Sequence, residues 1–531
     1  MNKQRIEKML EKYPAAVFKG RKEHVLVKTA TLDQPQTITA NTRTIPGIMT
    51  NRGCCYAGCK AVVLAPLKDA VTLTHGPIGC GFYSWGTRRN KSKPEDGGLN
   101  LINYCFSTDL QEQDIVFGGE KKLRQAISEA VDIFKPKTVF ICSTCPVGLI
   151  GDDINAVAAW AQQEFGISVL AFSCEGYKGV SQSGGHHIAN NGLIRHVIGT
   201  GEKAVGKYSI NLLGEYNIGG DGWELERVLK KIGYDIVSIM TGDGSVDKLR
   251  NAHKADLNVI QCYRSINYIG EMMKAKYGTD WIKVNFIGVK STAKALRDIA
   301  KYFNDPDLTA RTEAVIAEEL EEVLPLMEAY KKKCKGKKAA LFVGGSRSHH
   351  YQSLLKDLGV EVLMAGHEFA HRDDYEGYEV IPTIKVDADS KNIENLELQP
   401  DQKNYRLLLS KERFEELKKE IPLNDYPGLM KDMNENTVVV DDLNHYETEE
   451  LLKILKPDIF LSGIKDKYVA HKFGVFSKQL HSYDYSGPYA GFKGAVNFAR
   501  DITMGMTTPS WKLVTPPWKT RPTLEGGYAQ C

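Results

Sequence analysis

From about residue 50 onward the chain alternates short β-rich runs with amphipathic helical stretches, and this alternation narrows the choice of fold more than any other feature. The runs Thr138–Ile141, Ser168–Phe172, Asp235–Met240, Leu257–Gln261, Ala339–Val343, Val360–Met364, Thr437–Val440 and Asp458–Leu461 read as strands. Between them lie segments of helical spacing such as Glu224–Ile232 and Ser348–Leu358, the second followed by Gly359 where a left-handed cap belongs. Strand, helix, strand in this rhythm predicts parallel sheets joined by right-handed crossovers in doubly wound domains. A chain of 531 residues is far longer than one core usually grows, so roughly three or four domains of about 150 residues are expected.

Other stretches fill in the plan. Arg311–Lys335 reads as a long helix with Ile316, Leu320, Val323, Met327, Tyr330 and Cys334 on one stripe, so Cys334 is expected in the core. Lys135-Pro136 leading into a strand resembles Lys456-Pro457 leading into another, a faint sign of duplicated architecture. Tyr375–Met430 is richer in charge and poorer in rhythm, and reads as an insertion on the surface.

Charge and hydropathy exclude several classes of function. Lys and Arg total 69 against 66 Asp and Glu, and a net charge of +3 gives no whole-chain field for nucleic acid or an anionic membrane. The first twelve residues lack the apolar stretch of a signal peptide, and no apolar run approaches the ~18 residues of a membrane span. A cytoplasmic location with reduced thiols follows as the expectation, so the eleven cysteines read as ligands, redox groups or buried small hydrophobes rather than disulfides.

Three motifs mislead. Gly201-Glu202-Lys203-Ala204-Val205-Gly206-Lys207 matches a phosphate loop until Tyr208 replaces the hydroxyl residue that would hold magnesium, and no strand precedes it. The glycines of 214–222 lack dinucleotide spacing and read as a turn. Cys142-Ser143-Thr144-Cys145 follows a strand as a dithiol redox motif does, but its neighbours favour another reading.

Cys145, Cys174 and Cys262 each follow a predicted strand, the edge where open α/β sheets bind ligands, so all three are expected to point toward clefts. Cys54 and Cys80 sit in the glycine-bearing loops Arg52-Gly53-Cys54 and His75-Gly76-Pro77-Ile78-Gly79-Cys80. Glycines beside a thiolate let backbone approach a bulky ligand and donate N–H groups to it. Closed zinc sites favour paired cysteines, whereas Cys54, Cys80 and Cys145 are widely spaced single residues of the kind an iron–sulfur cluster tolerates. The spacing favours a cluster and leaves zinc or plain structural thiols open. His186, within Gly179–His187, and His481, within His481–Tyr489, lie in polar, glycine-bearing loops, where a histidine is ordinarily a hydrogen-bonded loop residue.

Taken together, Arg52-Gly53-Cys54, His75–Cys80, Cys145–Asp153, Gly179–His187, Gln261-Cys262-Tyr263-Arg264-Ser265 and His481–Pro488 resemble one family, the alpha subunits of dinitrogenase, the molybdenum–iron protein of nitrogenase. The likeness runs from about residue 45 to 520, and the insertion resembles that of clostridial and methanogen forms. It implies an α/β fold of three doubly wound Rossmann-like domains with parallel sheets around a buried metallocluster site. The expected plan is an N-terminal arm (1–50), a domain carrying the first cysteines (51–205), a domain carrying Cys262 (206–338), and a domain with the insertion at about 375–430 (339–480). A C-terminal segment (481–531) would carry His481 and pack back on the first domain.

The resemblance assigns roles residue by residue. Cys54, Cys80 and Cys145 match the alpha-subunit thiolates of the P-cluster (8Fe-7S), which is shared with a beta subunit in an α2β2 heterotetramer. Cys262 and His481 match the two protein ligands of the iron–molybdenum cofactor (7Fe-Mo-9S-C-homocitrate), the first on iron and the second on molybdenum. Gln182 and Lys465 match groups near homocitrate, and His186 matches an imidazole that hydrogen-bonds a cofactor sulfide. Arg88 and Arg347 match guanidinium groups around the anionic cofactor, with Gly344 and Gly345 offering backbone N–H. Val62 matches an apolar gate, while Glu368, Phe369 and Ser265 match further pocket positions. Asp466 stands where many relatives carry Glu, and Ala490 where some carry His.

The implied reaction is reduction of dinitrogen to ammonia with hydrogen evolution, using electrons from an ATP-hydrolysing iron protein. The absent phosphate loop agrees, because ATP then belongs to the partner. His186 is the leading proton donor, with Gln182, Val62 and Arg88 around it. Two rivals share the fold. A cofactor-assembly scaffold would lack the histidine ligand, and a vanadium or iron-only alpha subunit would keep both ligands but differ around Gly344–Ser348 and His481–Tyr489.

Overall fold

The structure, a computed structural model, describes residues 2–29, 36–43, 47, 52–86, 90–94, 100–380, 393–463 and 466–512. Three sheets organise it. An N-terminal arm carries the short strand β1 (Val25–Val27). The first sheet contains β2 (Ala70–His75), β3 (Phe106–Ser107), β4 (Thr138–Ser143) and β5 (Ser168–Phe172) in the order β3-β2-β4-β5, all parallel. The second contains β6 (Ser209–Glu215), β7 (Asp235–Thr241), β8 (Leu257–Ile260) and β9 (Trp281–Lys283) in the order β7-β6-β8-β9, again all parallel. The third contains β10 (Lys338–Phe342), β11 (Glu361–His367), β12 (Val438–Asp441), β13 (Ile459–Ser462) and β14 (Phe476–Gln479) in the order β1-β12-β11-β10-β13-β14, with β1 antiparallel on its edge. Central strands β2, β4 and β6 are buried along their whole length, as expected of strands covered by helices on both faces.

Each sheet reverses its strand order once, and ligands of open α/β sheets bind beyond the strand ends at that reversal. In the first sheet it falls between β2 and β4, in the second between β6 and β8, and in the third between β10 and β13. At or just beyond those strand ends stand Cys80 and Cys145 in the helices that follow, then Gly214 inside β6 and Cys262, then Gly344, Gly345 and Gly463.

The helices that position the sites, in chain order, are α1 (Ile78–Gly86), α2 (Cys145–Ile150), α3 (Gln182–His196), α4 (Asp221–Ile232), α5 (Tyr263–Tyr277), α6 (Val289–Phe303), α7 (Pro306–Cys334), α8 (Arg347–Asp357), α9 (Lys411–Glu420) and α10 (Gly491–Thr507). Helix α3 is buried almost all round, because it lies between α5 and a π-helix at Ala57–Leu64. Two glycines permit that approach. A Cβ on Gly58 would sit 1.9 Å from the Gln182 carbonyl oxygen, and one on Gly185 1.9 Å from that of Cys55.

Three expectations need correction, and one motif already set aside is accounted for. Cys174 does not point into a cleft: it is fully buried in an apolar core with Cys59 and Cys142, its thiol donating to the Ser143 carbonyl at 3.5 Å. Cys142 and Cys145 do not form a working dithiol pair, since Cys142 joins that core while Cys145 is partly exposed at the start of α2. The C-terminal segment, as far as residue 512, packs through Phe492, Ala495, Phe498 and Ile502 of α10 into the core shared by the second and third sheets, beside α7, rather than on the first domain.

The third expectation concerns the insertion, which is not simply a surface loop. Tyr375, Leu423, Tyr426 and Leu429 are fully buried, and residues 423 and 424 bridge to β9, covering the open edge of the second sheet. Only its middle, around α9 and residues 394–413, lies largely at the surface.

Candidate metal centres

Cys80 lies in α1, Cys145 opens α2, and Cys54 sits just ahead of the π-helix. Gly176 draws two of these thiols together: its backbone N–H donates to Cys145 Sγ at 3.2 Å, and a Cβ there would meet Cys145 Sγ at 3.0 Å and Cys54 Sγ at 3.4 Å. Burial, and then the neighbouring Cys54 and Cys145, push the Cys80 thiol up. Cys54 is exposed and the other two are half-buried, so the trio opens outward rather than closing on itself. Apolar side chains surround it on the same short helices, with Ile78, Phe82, Tyr83 and Leu149 all more than half exposed.

The second site lies deeper. Cys262 caps α5 directly after β8, and the Tyr263 N–H donates to Ser346 Oγ at 3.0 Å, tying this turn to the start of α8. Gly345, at φ +62°, leaves the Cys262 sulfur uncovered on that side, since a Cβ would stand 2.9 Å from Sγ. At Gly344 a Cβ would run into the Phe369 ring, which in turn meets the buried His186 ring edge-on at 5.8 Å between centroids. His481 follows β14; its Nδ1 lies 3.8 Å from Glu368 Oε2, and Glu368 occupies the space that Gly463 leaves open. Burial and the positive charge of Arg347 push His481 down to about 3, so at neutral pH it presents a neutral ring, the form that binds metal.

Arg347 is fixed from behind. Its guanidinium donates to Tyr483 Oη at 2.5 Å, and Tyr483 donates to Asp221 Oδ2 at 2.5 Å. Glu215, at the end of β6, shares a cavity with Cys262, Arg347 and His350; burial and nearby Asp221 push it up to about 8. Ser265 accepts from Tyr216 Oη at 2.5 Å, and Val62 sits on the π-helix, its carbonyl accepting from Thr241 Oγ1 at 3.2 Å. Gln182 reaches the first site, since its Oε1 accepts the Gly53 N–H at 3.1 Å, one residue from Cys54.

Among the residues singled out from sequence, the structure brings Cys54, Cys80 and Cys145 to one face. It groups Cys262, Gly344, Gly345, Phe369 and His186 around one floor, with His481, Glu368 and Arg347 alongside. Arg88 and Lys465 lie outside the described residues. Sequence reasoning missed Gly176, Glu215, Asp221, Tyr483 and the buried pair Lys283 and His350. Tyr483 lay within a motif already singled out and could have been found, whereas Glu215 fell in the stretch 214–222 read as a turn. The others give no local signal.

A cysteine sulfur, a neutral imidazole, a guanidinium and a glycine floor are groups that could hold an anionic metal cluster. Residues 54–507 match the family described as nitrogenase component 1 type oxidoreductase. The chain belongs to that family. It is 59% identical to the nitrogenase molybdenum–iron protein alpha chain of Clostridium pasteurianum, over 97% of this chain and 96% of that protein. Identity to the corresponding alpha chain of Methanosarcina barkeri is 55%, over 97% and 96%, and to that of Azotobacter vinelandii 38%, over 97% and 95%. A solved structure titled nitrogenase Cp1 at pH 6.5 superposes with a TM-score of 0.94 at 59% identity, covering 97% of this chain and 99% of that one. Within the nitrogenase component 1 family, the chain therefore stands among the molybdenum–iron protein alpha chains. No helix of the described residues is long and apolar enough to cross a membrane.

Proposed function

We propose that this chain is the catalytic alpha subunit of a molybdenum-dependent dinitrogenase, reducing dinitrogen to ammonia with hydrogen evolution. In this reading Cys54, Cys80 and Cys145 hold one side of the P-cluster, and a beta subunit supplies the other in an α2β2 assembly. Cys262 and His481 hold the iron–molybdenum cofactor at its two ends. Electrons arrive one at a time from an ATP-hydrolysing iron protein.

The observation that carries the reading is the placement of thiolate Cys262 and neutral His481 about a single glycine-floored site that Arg347 also faces. When bound there, the cofactor supplies the multi-electron reducing chemistry. This chain's own residues do the rest. Gly344 admits the Phe369 ring and Gly345 leaves room beside the Cys262 sulfur, and Arg347, held by Tyr483, balances negative charge. Arg88, Lys465, Gln182 and Glu368 would complete the polar surround, with Ser265 beneath it. Val62 and Phe369 exclude water, and His186, buried against Phe369, holds and delivers a proton.

Metal analysis of the purified assembly tests this. Wild type is expected to contain iron and molybdenum. Cys262→Ala is expected to keep P-cluster iron, lose most molybdenum and produce no ammonia, because neighbouring polar groups cannot replace a coordinate bond. Full molybdenum and ammonia production in that variant would sink the assignment, and vanadium or iron alone in wild type would sink the molybdenum reading.

A further inference from the structure

Lys283 ends β9 and is buried. Its ammonium lies 2.6 Å from His350 Nε2 and donates to the Val284 carbonyl at 3.0 Å, with the Tyr426 ring 5.5 Å away. Both oxygen and nitrogen acceptors are neutral. Among the described residues no carboxylate comes within ion-pairing distance of Lys283, because Asp373 and Asp374, the acids of the neighbouring turn, are both engaged by Arg264. An ammonium taken out of water without an ion-pair partner is costly, and burial pushes Lys283 down to about 7, against smaller opposing pulls from the more distant Cys262 and Asp374. The same factor, with Lys283, Arg347, His349 and His367 around it, drives His350 well below its ordinary value, so His350 is a neutral acceptor and cannot be the missing anion's substitute. His350 forms part of the wall of the cavity that holds Cys262 and Arg347.

Through His350 the Lys283 ammonium stands behind the wall of a cavity that Glu215, Asp221, Cys262 and Arg347 also line, so its charge acts on an anionic group seated there. We propose that Lys283, held by His350, is a positioning residue that adds a buried positive charge, behind Arg347, for the anionic cofactor bound at Cys262. This rests on the cofactor reading above. Nothing in the three glycine-bearing loops suggests it, since Lys283 and His350 come from β9 and α8 and meet only in the fold.

The test uses the complete assembly purified as wild type, Lys283→Gln, Lys283→Arg and His350→Leu, with molybdenum per alpha chain and the midpoint potential of the resting cofactor's paramagnetic signal as readouts. Lys283→Gln keeps a donor for His350 and removes only the charge. It is expected to lower molybdenum occupancy several-fold and to move the potential of the remaining cofactor to more negative values, since a lost positive charge makes reduction harder. Lys283→Arg is expected to restore both, and His350→Leu to give an intermediate loss. Wild-type occupancy and potential in Lys283→Gln would overturn the proposal. So would equal losses in Lys283→Gln and Lys283→Arg, which indicate packing rather than charge. Cys262→Ala is run alongside: full molybdenum there overturns the cofactor reading, whereas loss there with none in Lys283→Gln overturns this inference alone.

Discussion

At the scale of single residues, Gly345 is the tightest constraint on the deeper site. Its φ of +62° disfavours any side chain by about 1–2 kcal/mol, and a Cβ would stand 2.9 Å from the Cys262 sulfur. Gly345→Ala is therefore expected to fold with slightly lower thermal stability yet to hold much less molybdenum; unchanged molybdenum would show that the sulfur does not use that space. His367 offers a test by pH. It is fully buried, its Nδ1 lies 3.3 Å from the Val343 carbonyl, and burial pushes it down to about 4. Because the folded value lies below the unfolded value near 6.5, the stability tied to its neutral ring is complete above pH 6.5 and is lost as pH falls toward 4. Relative to His367→Gln, wild type should lose about 1.4 kcal/mol per pH unit in that window, read from denaturant midpoints at pH 7 and 5. An identical pH response in the two proteins would contradict the burial argument. The cysteines show where sequence reading works at this scale. The strand-end rule correctly leaves Cys145 and Cys262 partly open but fails for Cys174, which is buried, because one further residue of strand or loop decides whether a side chain faces a cleft or a core.

At the scale of elements, the doubly wound rhythm was largely legible, and the reasons are local. Lys135 and Lys456 both cap helices in the left-handed conformation, at φ 48° and 51°, and each leads through a proline into a strand at a sheet reversal. Their likeness therefore marks the same helix, cap and strand unit used twice. Among the strands not named from sequence, β2 carries two threonines and a histidine among its apolar residues, and β9 and β14 are too short to show a period. The insertion misled for a different reason. Its charged middle dominates the composition, while the few residues that anchor it, Leu423 and Tyr426 among them, are recognisable only once β9 and Tyr263 are in place. Leu423→Ala is expected to cost about 2–5 kcal/mol, because it empties a fully buried position, whereas Leu407→Ser at the exposed middle should stay within about 0.5 kcal/mol. Urea unfolding of both variants checks this, and equal effects would mean that the strap is not anchored at its return.

At the scale of the whole molecule, the outward-facing thiols carry the consequence. A site that closed on itself would bury Cys54, Cys80 and Cys145 together, yet here Cys54 is exposed, and the short helices bearing the other two present Phe82 and Leu149 at 54% and 77% exposure. Such a rim around an incomplete ligand set fits a partner that brings further ligands and covers the apolar surface in one step. A single sequence shows this only as a ligand count that falls short, since the partner's residues are written elsewhere. Burying one leucine contributes about 1.5–3 kcal/mol, so placing a charge at that position should cost the interface at least as much. Leu149→Asp lies on the exposed side of α2 and leaves the sheets untouched, so the chain should still fold. It is expected to elute separately from its beta partner in size-exclusion chromatography, and to lack the P-cluster signal and its iron. Association and cluster should fall together, because each chain holds only part of the ligand set. A Leu149→Asp chain that stays monomeric yet carries a complete cluster would show that the three cysteines need no partner, and would remove the heterotetramer from the proposed function.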